Sequence, residues 1–391
     1  MPATSAFQAG VDTTGTQISY AIEATWGTLP AVQFRALRIM SEGLRGQKTR
    51  SRPDEIRLDR QASAGVTTAE SAGGPISFAL SYGTYDDLLA TLMGADWSAP
   101  LSITAGTLAV AAPGTITHGT ASALAGVEVG QWVRLSGFTN PANNVVAQVL
   151  TNTGTVMTVA TAAPMVTEAA STGRSIATNG GLKNGAQVQT LYVQKRFASN
   201  LWTRYPGSYV NSATLQATQG QFLQGSMELI ASREINNTAD ASTGAIIAAP
   251  TGRVMDPVAG VIGFVANGAV QPRCTAFSIQ MQNSGAAMQY ALGSAAAQGM
   301  MPGVFTASGS ATLYFANFDL YARFLAETQE ILGFSARDAA GATYGISIPA
   351  GNLMNPQITA GGPGQAVMAV FEIECNPHPT LGHTLRIDRM P

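Results

Sequence analysis

Residues 74–94 read GPISFALSYGTYDDLLATLMG, a strand pattern that turns directly into a helical one. Ile76, Phe78, Leu80 and Tyr82 alternate with small or polar residues, the period-two signature of a half-buried strand. From Thr84 the spacing changes. Tyr85, Leu88, Leu89 and Leu92 fall at i, i+3, i+4 and i+7, one apolar stripe that would lie on a sheet. Asp86 and Asp87 occupy the first turn, where the helix dipole favours negative charge, so they read as capping residues rather than paired catalytic carboxylates. Thr84 is the expected cap and Gly94 the terminator.

The same plan recurs at residues 309–330, GSATLYFANFDLYARFLAETQE. A glycine opens a strand with Ala311, Leu313 and Phe315 at alternate positions. A helix expected over 318–329 follows, with Asn317 as cap and Tyr321, Phe324 and Leu325 at the spacing of Tyr85, Leu88 and Leu89. Each unit follows another alternating segment, ALRIMS (36–41) in the first and TAFSIQMQ (275–282) in the second. With few identities and a one-residue offset, the recurrence fits either two β–helix units alike by chance or two fused copies of one fold.

Between 36–41 and 76–82 lies EGLRGQKTRSRPDEIRLDR, residues 42–60, with ten charges in nineteen positions. A mixed-sign segment of this density is too polar to pack in a core, and it is expected to project as a loop. The rest of the chain is poor in charge. Lys, Arg, Asp and Glu make up 11% of its 391 residues, against about 25% in ordinary soluble proteins, while hydrophobic residues make up 46%. A surface so small and neutral is weakly defended against self-association. The net charge of -2 gives no basic footprint for nucleic-acid binding.

Residues 98–185 have a texture of their own: Thr, Ala, Val and Gly with five charges in 88 positions. Short β segments separated by PANN and TNTG turns predict a small inserted β domain whose ends return to the main body. Beyond it, strand patterns resume at 187–197, 211–217, 225–232, 259–265, 342–349, 366–375 and 385–389.

The sequence offers no catalytic constellation, and no enzyme is expected. It has no GxSxG, phosphate loop or CxxC. His118, His378 and His383 are badly spaced for a metal site. The two cysteines, Cys274 and Cys375, read as buried free thiols, with a disulfide between them the alternative. No cofactor is expected. MPATSAFQAG lacks the basic start and apolar core of a secretory signal, and no apolar run of about 18 residues is present.

Taken in order, ISYAIEATWGTLP, R-x-R-x-x-E-I-R-x-D-R (50–60), GPISFALSYGTYDDLLATLMGADW, GQWVRLSGFTNPANN, RYPGSYVNSATLQATQGQFLQGSMEL, IPAGNLMNPQIT and LRIDR resemble the tail tube (major tail) proteins of tailed bacteriophages. The likeness is greatest to the group found in long flexible-tailed, siphovirus-like phages. It covers nearly the whole chain and rests on the order of segments, not on a single motif. The resemblance implies a mainly β fold, a β-sandwich or barrel with short flanking helices. It implies homo-oligomeric rings stacked into a tube, with DNA passing through the lumen without specific binding. It also implies partners at the tail ends and inside the tube: tape measure, tail terminator and tail-tip proteins. Such a chain would be assembled in the bacterial host cytoplasm and reside in the virion.

On this reading 1–97 with 186–250 is a first tail-tube repeat, 251–391 a second, and 98–185 an outward-facing insert. A duplicated chain would form a trimeric pseudo-hexamer in place of a hexamer. Related tubes place an inter-ring loop where this chain has 42–60, which makes Arg50, Arg52, Asp54, Glu55, Arg57, Asp59 and Arg60 its expected contact residues. Ser226, Glu228, Ser278, Gln280 and Gln282 are candidate lumen positions, with an outer face the alternative. A secreted adhesin or surface-layer protein that binds through the insert is the other class considered; it needs an export route.

Overall fold

The computed structural model describes residues 10–257 and 261–391. The N-terminal residues read for a signal, and the first residues of the strand expected over 259–265, lie outside them. Two helices, α1 (Asp86–Met93) and α2 (Asp319–Leu325), stand among many antiparallel strands, and the fold is mainly β, as expected. The main-body strands of five or more residues are β1 (Gln17–Ile22), β2 (Arg45–Ser51), β3 (Val66–Ala79), β4 (Leu191–Ala198), β5 (Leu201–Thr218), β6 (Gln224–Ala231), β7 (Val261–Ala266), β8 (Cys274–Ser284), β9 (Val304–Tyr314), β10 (Glu330–Arg337), β11 (Thr343–Thr359), β12 (Met368–Cys375) and β13 (Arg386–Met390).

In the first half the pairings run β1–β4–β5–β6–β3–β2. In the second they run β7–β10–β11–β12–β9–β8, the same order. β5 and β11 are the long strands, each pairing with one neighbour through its first half and another through its second. The second half of β5 also pairs along its other edge with β8, Ser212 to Gln282 through Thr218 to Ala276. One continuous sheet, β2–β3–β6–β5–β8–β9–β12–β11, results.

Alternation gives this sheet two unlike faces. Ile76, Met227, Ala213 and Met281 form one cross-strand row, each at most 1% exposed. Against this face α1 packs Leu88, Leu89 and Leu92 of the stripe read from the sequence, together with Met93. The neighbouring row, Ser77, Ser226, Thr214, Gln280 and Ser308, is polar and lies on the other face. Gly73 and Gly74 allow the close passage of β3 between its neighbours: at φ 153° and 145°, a Cβ on either would stand 2.2 Å from a carbonyl oxygen, of Leu229 and Gly43 respectively.

Several local expectations are corrected. The strand expected over 36–41 is two short pieces, because the chain crosses there between layers: Ala36 pairs with Ser19 of β1, whereas Ser41 pairs with Ser77 of β3. The start of α1 lacks the side-chain cap expected of Thr84, whose hydroxyl instead bonds Ser81 Oγ at 2.7 Å, whereas at α2 the expected Asn317 accepts the Asp319 N–H at 3.3 Å. α2 is only seven residues, and of its apolar residues Leu320 alone is buried; Phe318 is 64% and Leu325 66% exposed. Of the stripe matching that of α1, Leu325 is exposed and Tyr321 and Phe324 are only half-buried.

Between α1 and β4 the chain leaves the body. Eight strands from Leu101–Ile103 to Ser175–Thr178 form a separate sheet around their own core of residues such as Leu108, Ile116, Val133, Met157 and Ile176. Gly181–Lys183 returns to pair with β13. A buried joint ties the insert to the body. Trp132, fully buried, donates its backbone N–H to Asp388 and its indole N–H to the Ile346 carbonyl at 3.1 Å, while Arg386 holds Asp388 at 2.7 Å.

Candidate functional site

The sheet dictates where its connections go. β3, β6, β5, β8 and β9 are successively antiparallel, so β3 and β9 run in the same direction. The β2–β3 connection, 52–65, and the β8–β9 connection, 285–303, therefore leave from the same end of the molecule, and α1 and α2 follow at the other. The 285–303 arm lies against the start of β3: Glu70 N–H donates to the Ala295 carbonyl at 2.7 Å, and Tyr290 Oη donates to the Glu70 carbonyl at 3.0 Å.

The charged segment is not one loop. Arg45–Ser51 is strand, and only 52–65 projects. Glu42, expected within the projecting stretch, turns inward to Lys195 at 2.9 Å, with Lys195 7% exposed and lying over the Phe197 ring. An apolar layer with a buried lysine above it needs such a partner. In the arm, Arg50 Nη2 donates to the Gly65 carbonyl and Ser63 Oγ to Glu55 at 2.6 Å. Arg57 meets Asp59 at 2.9 Å, a hydrogen bond that holds the Asp59 carboxyl below its ordinary range. Arg52, Asp54 and Arg60 have no ion-pair partner among the described residues. Ile56 and Leu58 stand fully exposed beside them.

The five candidate lumen residues come together on the polar face of the main sheet. Thr214 lies between Ser226 and Gln280, Ser212 lies between Glu228 and Gln282, and Ser278 bonds Ser310 across the β8–β9 pair. Glu372 and Glu374 continue the face on β12. Partial burial raises the Glu228 carboxyl, with Arg45 acting against it. The face thus carries the carboxylates Glu228, Glu372 and Glu374, with one base, Arg45 on β2, beside Glu228.

At the helix end two recesses open. One, of about 280 Å³, is lined by Arg35, Asp86, Asp87 and Arg389 together with Trp97 and Ile247. Here the acidic pair at the start of α1 finds its partners: Asp87 meets Arg35 at 2.7 Å and Tyr20 Oη at 3.0 Å, while Asp86 meets Arg389 at 2.5 Å. Both carboxylates lie in the first turn of α1, as expected, but neither caps it by a side-chain hydrogen bond; ion pairs with Arg35 and Arg389 hold them. The other recess, of about 360 Å³, is walled by Phe264, Val270, Cys274, Phe277, Tyr314 and Phe334, with Arg273 its one charge. Cys274 and Cys375 are free, half-buried thiols. The sequence reading passed over both this recess and the 285–303 arm. The signal available for the arm was nineteen residues without a charge, set between two alternating strands.

Among the described residues no group of three His, Cys, Asp or Glu is placed to hold a metal, and no helix is long and apolar enough to cross a membrane. Arms, sheet edges and two unlike sheet faces are what the described residues present, and they define a mainly β protein with projecting connections. The chain matches the phage tail tube protein family over residues 13–375 and belongs to that family, making it a structural component of the virion tail. No curated protein matches it.

Proposed function

We propose that the chain assembles with copies of itself into rings that stack as the tube of a long, flexible, non-contractile tail, the conduit for DNA ejection. The observation that carries this reading is the parallel course of β3 and β9, which sends both arms out of one end and leaves both recesses at the other. Such a molecule is built for head-to-tail contact, and a heterologous contact that does not close generates a filament. Residues 1–97 with 186–250, and 251–391, are two copies of one fold, and three chains close a ring of six pseudo-equivalent units. The polar face bearing Ser226, Glu228, Ser278, Gln280 and Gln282 lines the lumen, where acidic and neutral residues outnumber the one nearby base, Arg45, and let DNA slide. The insert, joined to the body through Trp132, decorates the outside. Tape measure, terminator and tail-tip proteins meet the lumen and the tube ends.

In this scheme 52–65 is a connector between rings. Replacing Arg50, Arg52, Arg57 and Arg60 together with Ser should leave a folded chain whose rings no longer stack. Stacking by the unaltered chain should weaken as salt rises, because exposed charge contacts are screened. Negative-stain images would decide the matter: tubes of ordinary length from the variant overturn the role of the arm.

A further inference from the structure

We infer that the uncharged arm, 285–303, is a second ring-to-ring connector whose apolar tip seats in the Phe277 recess of a copy in the next ring. The inference rests on the stacking proposed above and adds what that reading leaves open: which end of which element meets which. The tip is made to be covered. Leu292 is 106% exposed, and Tyr290 and Met301 are 45% and 51% exposed, on a hairpin with no charge to keep it solvated. Exposed apolar groups clustered on one projection mark a contact site.

Its own chain cannot supply the cover. The arm leaves the Ser284 end of β8, and the recess lies at the Cys274 end, ten residues along the strand. At about 3.3 Å per residue that separation is roughly 33 Å. A second copy displaced along the strand direction brings the recess to the arm. The recess offers the tip aromatic and aliphatic groups between polar edges formed by Thr218, Gln219, Gln271 and Arg273, with a volume in the range that accepts a small ligand. The other arm and the other recess match each other as well. Six of the fourteen residues in 52–65 are charged, and the recess at the corresponding helix end carries Arg35, Asp86, Asp87 and Arg389. Unlike arms over unlike recesses break the sixfold equivalence of the ring, so a ring accepts its neighbour at three rotations and rejects the three between them, where each arm would bury against the wrong chemistry.

Cys274 in the recess wall makes the contact directly readable. Leu292→Cys, assembled and treated with a mild oxidant at alkaline pH, should give chains cross-linked through position 292 and Cys274, identified by peptide mass mapping. Alkaline conditions matter because burial pushes the Cys274 thiol up to about 12. The bond should form in tubes and vanish in protein dispersed into separate rings. A second variant, Leu292→Cys with Ile247→Cys and Cys274→Ser, places the acceptor in the charged recess and should not cross-link. Efficient bonding in that second variant, or tubes of Leu292→Cys that form without the bond to Cys274, would overturn the seating while leaving stacking intact. Failure of the unaltered chain to form tubes would instead remove stacking itself, and this inference with it.

Discussion

Glu42 and Asp59 belong to one charged run in the sequence, and their energetic roles are opposite. Glu42 neutralises a lysine that is 7% exposed and that also donates to the Leu44 carbonyl at 3.3 Å. Removing one partner of a buried pair strands the other charge without compensation, at a cost of about 3–5 kcal/mol. Glu42→Ala should therefore lower the urea midpoint of unfolding markedly. Asp59 pairs with Arg57 in the open, both about 43% exposed, where water and salt already screen the attraction. Asp59→Ala should unfold at the wild-type midpoint and alter assembly only. Charge density was legible from the residues; which charges point inward was not, because the inward turn of Glu42 depends on Lys195, 153 residues later.

At the scale of elements, the insert depends on one carboxylate. Burial works to raise the Glu168 carboxyl, but donation from the Thr139 and Asn140 N–H groups and the Asn143 amide, with the charge of Arg174, outweighs it and brings it from 4.5 to about 2. The folded insert therefore favours the ionised form. That contribution to stability is fully present above the ordinary carboxylate range and is lost as pH falls from about 4.5 through about 2. Acid titration followed by near-UV circular dichroism should show the insert loosening across this window, and Glu168→Gln should be loosened already at neutral pH, with the acid step flattened. The helices teach a related lesson. The α1 stripe was readable because periodicity reports an apolar face; α2 shows the same period yet leaves Leu325 exposed and Tyr321 and Phe324 half-buried. Periodicity identifies a face that wants cover, and cannot say whether the cover comes from the same chain.

For the whole molecule, the continuous sheet is the deciding feature, and its polar face is open to test. Gln280→Lys with Gln282→Lys adds two positive charges per chain to that face. Tubes of this variant should retain single-stranded oligonucleotide at low salt and release it as salt rises, whereas wild-type tubes should not retain it. Unchanged retention in sedimentation assays would mean that the face does not line the lumen.

The amino-acid sequence by itself determined the strand periods, the α1 stripe, the change of texture at the insert and the order of segments shared with the tail tube family. These are local or additive properties, carried by neighbours along the chain. Only the tertiary structure decided that β5 joins β8, that both arms leave one end, and that Glu42 turns inward while Leu292 stands uncovered. Each of those depends on which distant strand supplies the partner for an edge, and backbone hydrogen bonds carry no record of that choice in the identity of the residues that make them.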